Sequence, residues 1–116
     1  MRILKFLYRK DSLKRKVIEI ELELIKTVKF YINDNIWIYR YGAYDISPKN
    51  LVYWICVKTD KDKLYLQSNE TLMQDLRSIL VKYNYPEEAI PFVHIGIESQ
   101  ETVDRVSRGN WYHHFK

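Results

Sequence analysis

Three glycines, three prolines and a single cysteine in 116 residues close off several kinds of chemistry. Gly42, Gly96 and Gly109 stand far apart, so neither a phosphate-cradling loop nor a dinucleotide fingerprint, both of which need glycines at close fixed spacing, can be assembled. No cofactor is expected. Cys56 has no second cysteine to pair with, which excludes an internal disulfide. Its place inside the apolar run 51–57 marks it as a small packing residue, because a reactive thiol needs exposure and a cationic neighbour. No apolar stretch approaches the roughly 20 residues that span a bilayer, and bases interrupt residues 1–10 too often for a secretory core. A cytoplasmic chain with no membrane partner is therefore expected. No serine sits on a recognisable nucleophile turn.

What is present is enough for one hydrophobic core. A 47% hydrophobic content over 116 residues suits one domain, taken here as 1–116. The net charge of +4 is unevenly spread: the first 16 residues hold seven bases against Asp11 alone, and the remainder carries more acids than bases. Such a basic end suits a solvated face, or an arm that touches phosphate or an acidic protein.

Periodicity divides the chain further. Residues 11–33 place Leu13, Val17, Ile20, Leu24, Val28 and Tyr31 on one helical stripe, with Ile18, Leu22, Ile25 and Ile32 widening it and Glu21 intruding. Asp11 or Ser12 is the expected N-cap. An arc this wide lies between two layers or shares a flank with another subunit, which admits a homodimer. Alternation from Ile36 to Tyr41 predicts a strand. The run 51–58 is apolar on both faces and predicts a central strand covered on both sides. Residues 41–50 form a loop around Gly42 and Pro48. Thr59 to Asp62 reads as a charged turn leading to a short edge strand over 64–66.

Residues 69–83 carry a clean helical stripe of Leu72, Met73, Leu76, Ile79, Leu80 and Tyr83, with Ser68 as the expected cap. Asn84 is placed to terminate it in the left-handed region, and Pro86 forbids continuation. A last strand over 92–98 points Val93, Ile95 and Ile97 inward and His94, Gly96 and Glu98 outward. Ser99 caps a short helix that Gly109 ends. The tail 110–116 holds Trp111, Tyr112 and Phe115, too aromatic for a free end, and is expected to dock. The fold class is α+β, with an antiparallel or mixed sheet of three to four strands, two main helices on one face and a short C-terminal helix.

Ten tyrosines and three tryptophans are more than one small core requires. Arg40, Tyr41 and Tyr44 in the first strand and its loop are residue types that carry binding energy at interfaces. The C-terminal third adds Glu98, Glu101, Arg105, Trp111 and His113, which bring acids, a base and an indole into one stretch. Helix capping accounts for much of that charge. The leading expectation is a non-catalytic protein-binding module that neutralises or regulates a partner protein, immunity- or antitoxin-like. The first alternative is a nucleic-acid binder with a basic N-terminal region and base-stacking aromatics on the sheet. The second is a metal-dependent hydrolase built on Glu98, Glu101 and His113.

Overall fold

The computed structural model describes residues 12–115. The expected Asp11 cap and the basic positions 2–10 lie outside the described residues. Helix α1 (Leu13–Val28) starts at Ser12, whose hydroxyl accepts from the Arg15 N–H at 3.1 Å. Val17, Ile20, Leu24 and Val28 of the expected stripe are fully buried, while Leu22 and Ile25 are only half-buried. Glu21, the intruder in the pattern, pairs with Arg40 at 2.8 Å. Burial pushes the Glu21 carboxyl upward, and the guanidinium offsets part of that rise.

Three strands form one mixed sheet, β1 (Trp37–Tyr41), β2 (Val52–Val57) and β3 (His94–Ser99), with β2 in the centre. β1 runs antiparallel to β2 with Ile38 opposite Ile55, and β3 runs parallel to β2 with Ile97 opposite Ile55. The β1–β2 loop turns at Gly42, where φ is 100° and a Cβ would meet the Asn50 carbonyl oxygen at 1.9 Å. Only glycine fits there.

Between β2 and β3 the chain makes two helices, α2 (Asp60–Gln67) and α3 (Glu70–Lys82). The edge strand expected at 64–66 is thus a correction: those residues are helical. Thr59 caps α2 by accepting from the Asp62 N–H, and Asp60 and Asp62 sit in its positive first turn. The Thr-Asp-Lys-Asp run read as a turn is a helix start. Its three contiguous apolar residues hid the helical period, since only Leu66 is buried while Leu64 and Tyr65 face water. With no strand there, the return to the sheet is a parallel crossover, which requires such an intervening helical segment. Asn69, not Ser68, caps α3, and Ser68 closes α2. Asn84 ends α3 as expected, with φ 56°.

The core lies between one face of the sheet and α1 and α3. Tyr53, Ile55 and Val57 from β2 join Ile95 and Ile97 from β3 against Val17, Leu24, Leu72 and Leu76. Tyr53 is wholly enclosed, and its hydroxyl donates to the Val17 carbonyl at 2.7 Å, fixing α1 over the sheet. The two main helices share one face, as expected. Helix α4 (Gln100–Ser107) follows β3 directly, and a single turn, α5 (Trp111–His114), ends the described chain. The last strand starts at His94 and not at residue 92, because Ile90–Phe92 forms a 3₁₀ turn. Among the described residues no helix is long and apolar enough to cross a membrane.

The helical assignment of α2 separates two neighbouring leucines. Replacing exposed Leu64 by Lys should change unfolding free energy by no more than about 0.5 kcal/mol. Leu66→Ala should cost about 2–5 kcal/mol. Denaturant titration of both variants checks this, and equal losses would restore the strand, in which both side chains share a face.

Candidate functional site

The face of the sheet turned away from the main helices is aromatic. β1 contributes Trp37, Tyr39 and Tyr41, β2 contributes Trp54 and Cys56, and β3 contributes His94, Gly96 and Glu98. Gly96 is small for a reason of packing: a Cβ there would lie 2.6 Å from the Trp54 ring and 2.6 Å from His94 Nε2. The missing side chain lets the Trp54 indole lie across β3, with the His94 ring 4.7 Å away. Cys56 is fully buried beside it, and desolvation pushes its thiol up to about 12, so it is inert packing as expected.

The C-terminal tail docks on this face. Phe115 stacks on Trp54 with centroids 4.9 Å apart and ring planes 17° from parallel. Trp111 lies 5.6 Å from Trp37 and 5.3 Å from Tyr39. Polar bonds hold the tail in place: Trp111 Nε1 donates to Gln100 Oε1 at 2.8 Å, and Asn110 caps α5 by accepting from the His113 N–H. The reversal out of α4 uses left-handed conformations at Arg108 and Gly109.

His114, and not His113, meets Glu98. Its Nε2 lies 2.8 Å from Glu98 Oε2, and its Nδ1 lies 2.8 Å from Ser107 Oγ. Glu98, on the outward side of β3 as expected, is buried by this cover, with 7% of its surface left. Its other oxygen accepts from Lys63 Nζ at 2.6 Å and from the Ser99 N–H at 2.9 Å. Burial raises the Glu98 carboxyl, but the bonds from Lys63, His114 and Ser99 together outweigh it and leave it below the usual range. The order serine, imidazole, carboxylate is that of an activated nucleophile. Here Ser107 closes α4 at its negative pole, the wrong end to stabilise an oxyanion, and Glu98 is shared with an ammonium. The arrangement works as a clasp that holds the tail.

The other charged residues of this region tie two helix starts together. α2 and α4 begin at the carboxyl ends of parallel strands, so their positive ends lie side by side. Glu101, from α4, accepts from the Asp60 N–H at the start of α2, at 2.6 Å. Asp60 in return accepts from the hydroxyls of Ser99 and Thr102 in the first turn of α4 and from Arg105 at 2.8 Å. These bonds, the Ser99 and Thr102 hydroxyls first, hold the Asp60 carboxyl well below the usual range. Among the described residues no group of three His, Cys, Asp or Glu could hold a metal ion.

The eight residues singled out in the sequence therefore separate. Glu98, Glu101 and Arg105 belong to the polar framework just described, and His113 is exposed on α5. Tyr44 lies in the β1–β2 loop, half-buried against the core beside Leu13, Lys14 and Asp45. Arg40, Tyr41 and Trp111 come together with Tyr39, Tyr112 and Phe115 around one cleft of about 480 Å³ between β1 and the tail. Tyr39 and Tyr41 keep 40% and 43% of their surface and Tyr112 keeps 76%. Tyr39, Tyr112 and Phe115 were missing from the sequence-based selection. Tyr39 was within reach, as it shares with Tyr41 the strand face opposite Ile38.

Two results follow from these contacts. Gly96→Ala should force Trp54 off β3 and loosen the tail, lowering the melting temperature and altering tryptophan fluorescence; an unchanged emission spectrum would contradict this packing. Asp60 and Glu98 both have folded-state values below their unfolded ones, about 3.9 and 4.3. Their stabilisation is complete above those unfolded values and is lost as pH falls through the depressed folded values. Asp60→Asn should accordingly flatten the acid side of the stability profile, and an unaltered slope would rule out its part in it.

Compared with protein-family models, with curated proteins and with solved structures, the chain matches none.

Proposed function

We propose that the chain is a non-catalytic protein-binding module that neutralises or regulates a partner, in the manner of immunity or antitoxin proteins, and that the partner inserts an apolar side chain into the aromatic cleft. The observation that carries this reading is the cleft itself: five aromatic rings, with Arg40 between two of them on β1, line about 480 Å³, and Tyr112 is mostly open to water while Tyr39 and Tyr41 keep 40% and 43% of their surface. Tyrosine, tryptophan and arginine are the residues on which interface energy concentrates. Each ring offers a large contact area at a small loss of side-chain freedom.

The chemistry nearby favours binding over turnover. The acids that suggested a hydrolase are engaged in capping helices and clasping the tail, and Glu101 points to the start of α2. Among the described residues that line the cleft Arg40 is the one base, and its guanidinium is bound to Glu21 of α1, which gives a nucleic-acid backbone little to grip there.

The test uses the full chain immobilised and exposed to lysate of its native cell. One protein should be retained stoichiometrically, and Tyr39→Ala and Tyr112→Ala should each weaken its binding about 30-fold, a loss near 2 kcal/mol, with the melting temperature lowered only in Tyr39→Ala, whose ring also packs on the tail. Unchanged retention in both variants overturns the site. Oligonucleotide binding that falls steeply with salt would replace the reading by the nucleic-acid one.

A further inference from the structure

A second surface, sharing no residue with the aromatic cleft, lies on the solvent side of α1. Leu22, Ile25, Lys26, Lys29 and Phe30 line a hollow of about 420 Å³. Leu22, Ile25 and Lys26 share one flank of the last two turns of α1 by their i, i+3 and i+4 spacing, and the turn that closes the helix adds Lys29 and Phe30 to it. Phe30 keeps 80% of its surface exposed, the second-highest exposure among the described large hydrophobics, and Leu22 and Ile25 are only partly covered.

The charge on this flank is unbalanced. The three glutamates of α1 make their ion pairs with other cations, Glu19 with Arg15, Glu21 with Arg40 and Glu23 with Lys82, although Lys26 also lies near enough to Glu23 to help hold its carboxyl down. Lys26 and Lys29 are exposed and form no ion pair among the described residues. An apolar hollow edged by two unpaired cations is complementary to apolar side chains flanked by carboxylates. A second copy of this chain is a poor occupant, because a two-fold contact would bring these lysines together on a chain that already carries +4.

We propose that this flank of α1 is a docking surface for an acidic amphipathic helix of a partner protein, whose apolar residues cover Leu22, Ile25 and Phe30 while its carboxylates meet Lys26 and Lys29. Two turns of helix present a row matched in length and period to another helix laid along it. The area is small, which fits a transient contact or one part of a larger interface.

The experiment is a titration of the isotope-labelled full chain, followed by amide resonances, with two helical peptides of about 15 residues. Both carry leucine at the same positions; one has glutamate at the remaining positions and the other lysine. The acidic peptide should shift the amides of residues 22–30 and the basic peptide should not. Lys26→Glu combined with Lys29→Glu should weaken the acidic peptide at least 10-fold and admit the basic one, and Phe30→Ser should weaken the acidic peptide without that exchange. Absence of shifts at 22–30, or equal response to both peptides, overturns the proposal. So does a response of the same amides to phosphatidylserine-containing vesicles or to a single-stranded oligonucleotide but not to the acidic peptide, since the surface would then serve a membrane or a nucleic acid.

Discussion

A central strand that is apolar on both faces needs two covers, and the main helices of this chain supply only one. Tyr53, Ile55 and Val57 are enclosed by α1 and α3. Trp54 and Cys56 face the opposite way, where among the described residues the tail supplies the cover. The arrangement of the second face follows from that shortage. Trp54 must lie flat to be covered by the tail, Gly96 leaves the space for it, and Phe115 closes over the indole. The cover is thick over Cys56 and Glu98 and thin over Tyr39 and Tyr41, so an open aromatic cleft remains between β1 and the described tail.

The parallel pairing of β2 with β3 imposes a second constraint. Helices that start directly after parallel strands direct their positive ends to the same edge of the sheet, where they repel unless negative charge is placed between them. Asp60 and Glu101 answer this by exchange, each carboxylate serving the helix to which the other belongs. Lys63 then neutralises Glu98 within the same group, and His114 joins it from the tail. Acids and hydroxyls concentrated at strand ends resemble an active site in sequence. In space nearly every one of them is bonded to another residue of the same framework.

The sequence made the stripes of α1 and α3, the doubly apolar β2, a cap at Asp11 or Ser12, the cap at Ser99, the stop at Asn84 and the docking tail legible, because each depends on local spacing or on a residue with one strong preference. Leu64 to Leu66 misled because three adjacent apolar residues carry no period, and the capping pattern before them also spells a turn. Arg40 was singled out as a binding residue, although Glu21, the acid that breaks the stripe of α1, is its partner across 19 positions. Two anomalies in separate elements explained each other, a relation that spacing within one element does not reveal. Similarly, His113 and His114 are equivalent in sequence. The single turn of α5 decides which of them faces the sheet.

The two surfaces proposed for binding differ in what sustains them. The groove on α1 is carried by the end of one helix and the turn that closes it, and stays in place as long as those do. The aromatic cleft has one wall from β1 and the other from the tail, so it exists only while Trp111 and Phe115 remain docked. Tail docking and occupation of the cleft are therefore linked equilibria: a ligand that bridges both walls stabilises the docked tail by the same free energy that docking contributes to its binding. A clasp built on Glu98, His114 and Ser107 thus acts on the cleft from the far side of the sheet face, through the position of the tail and without touching whatever the cleft holds.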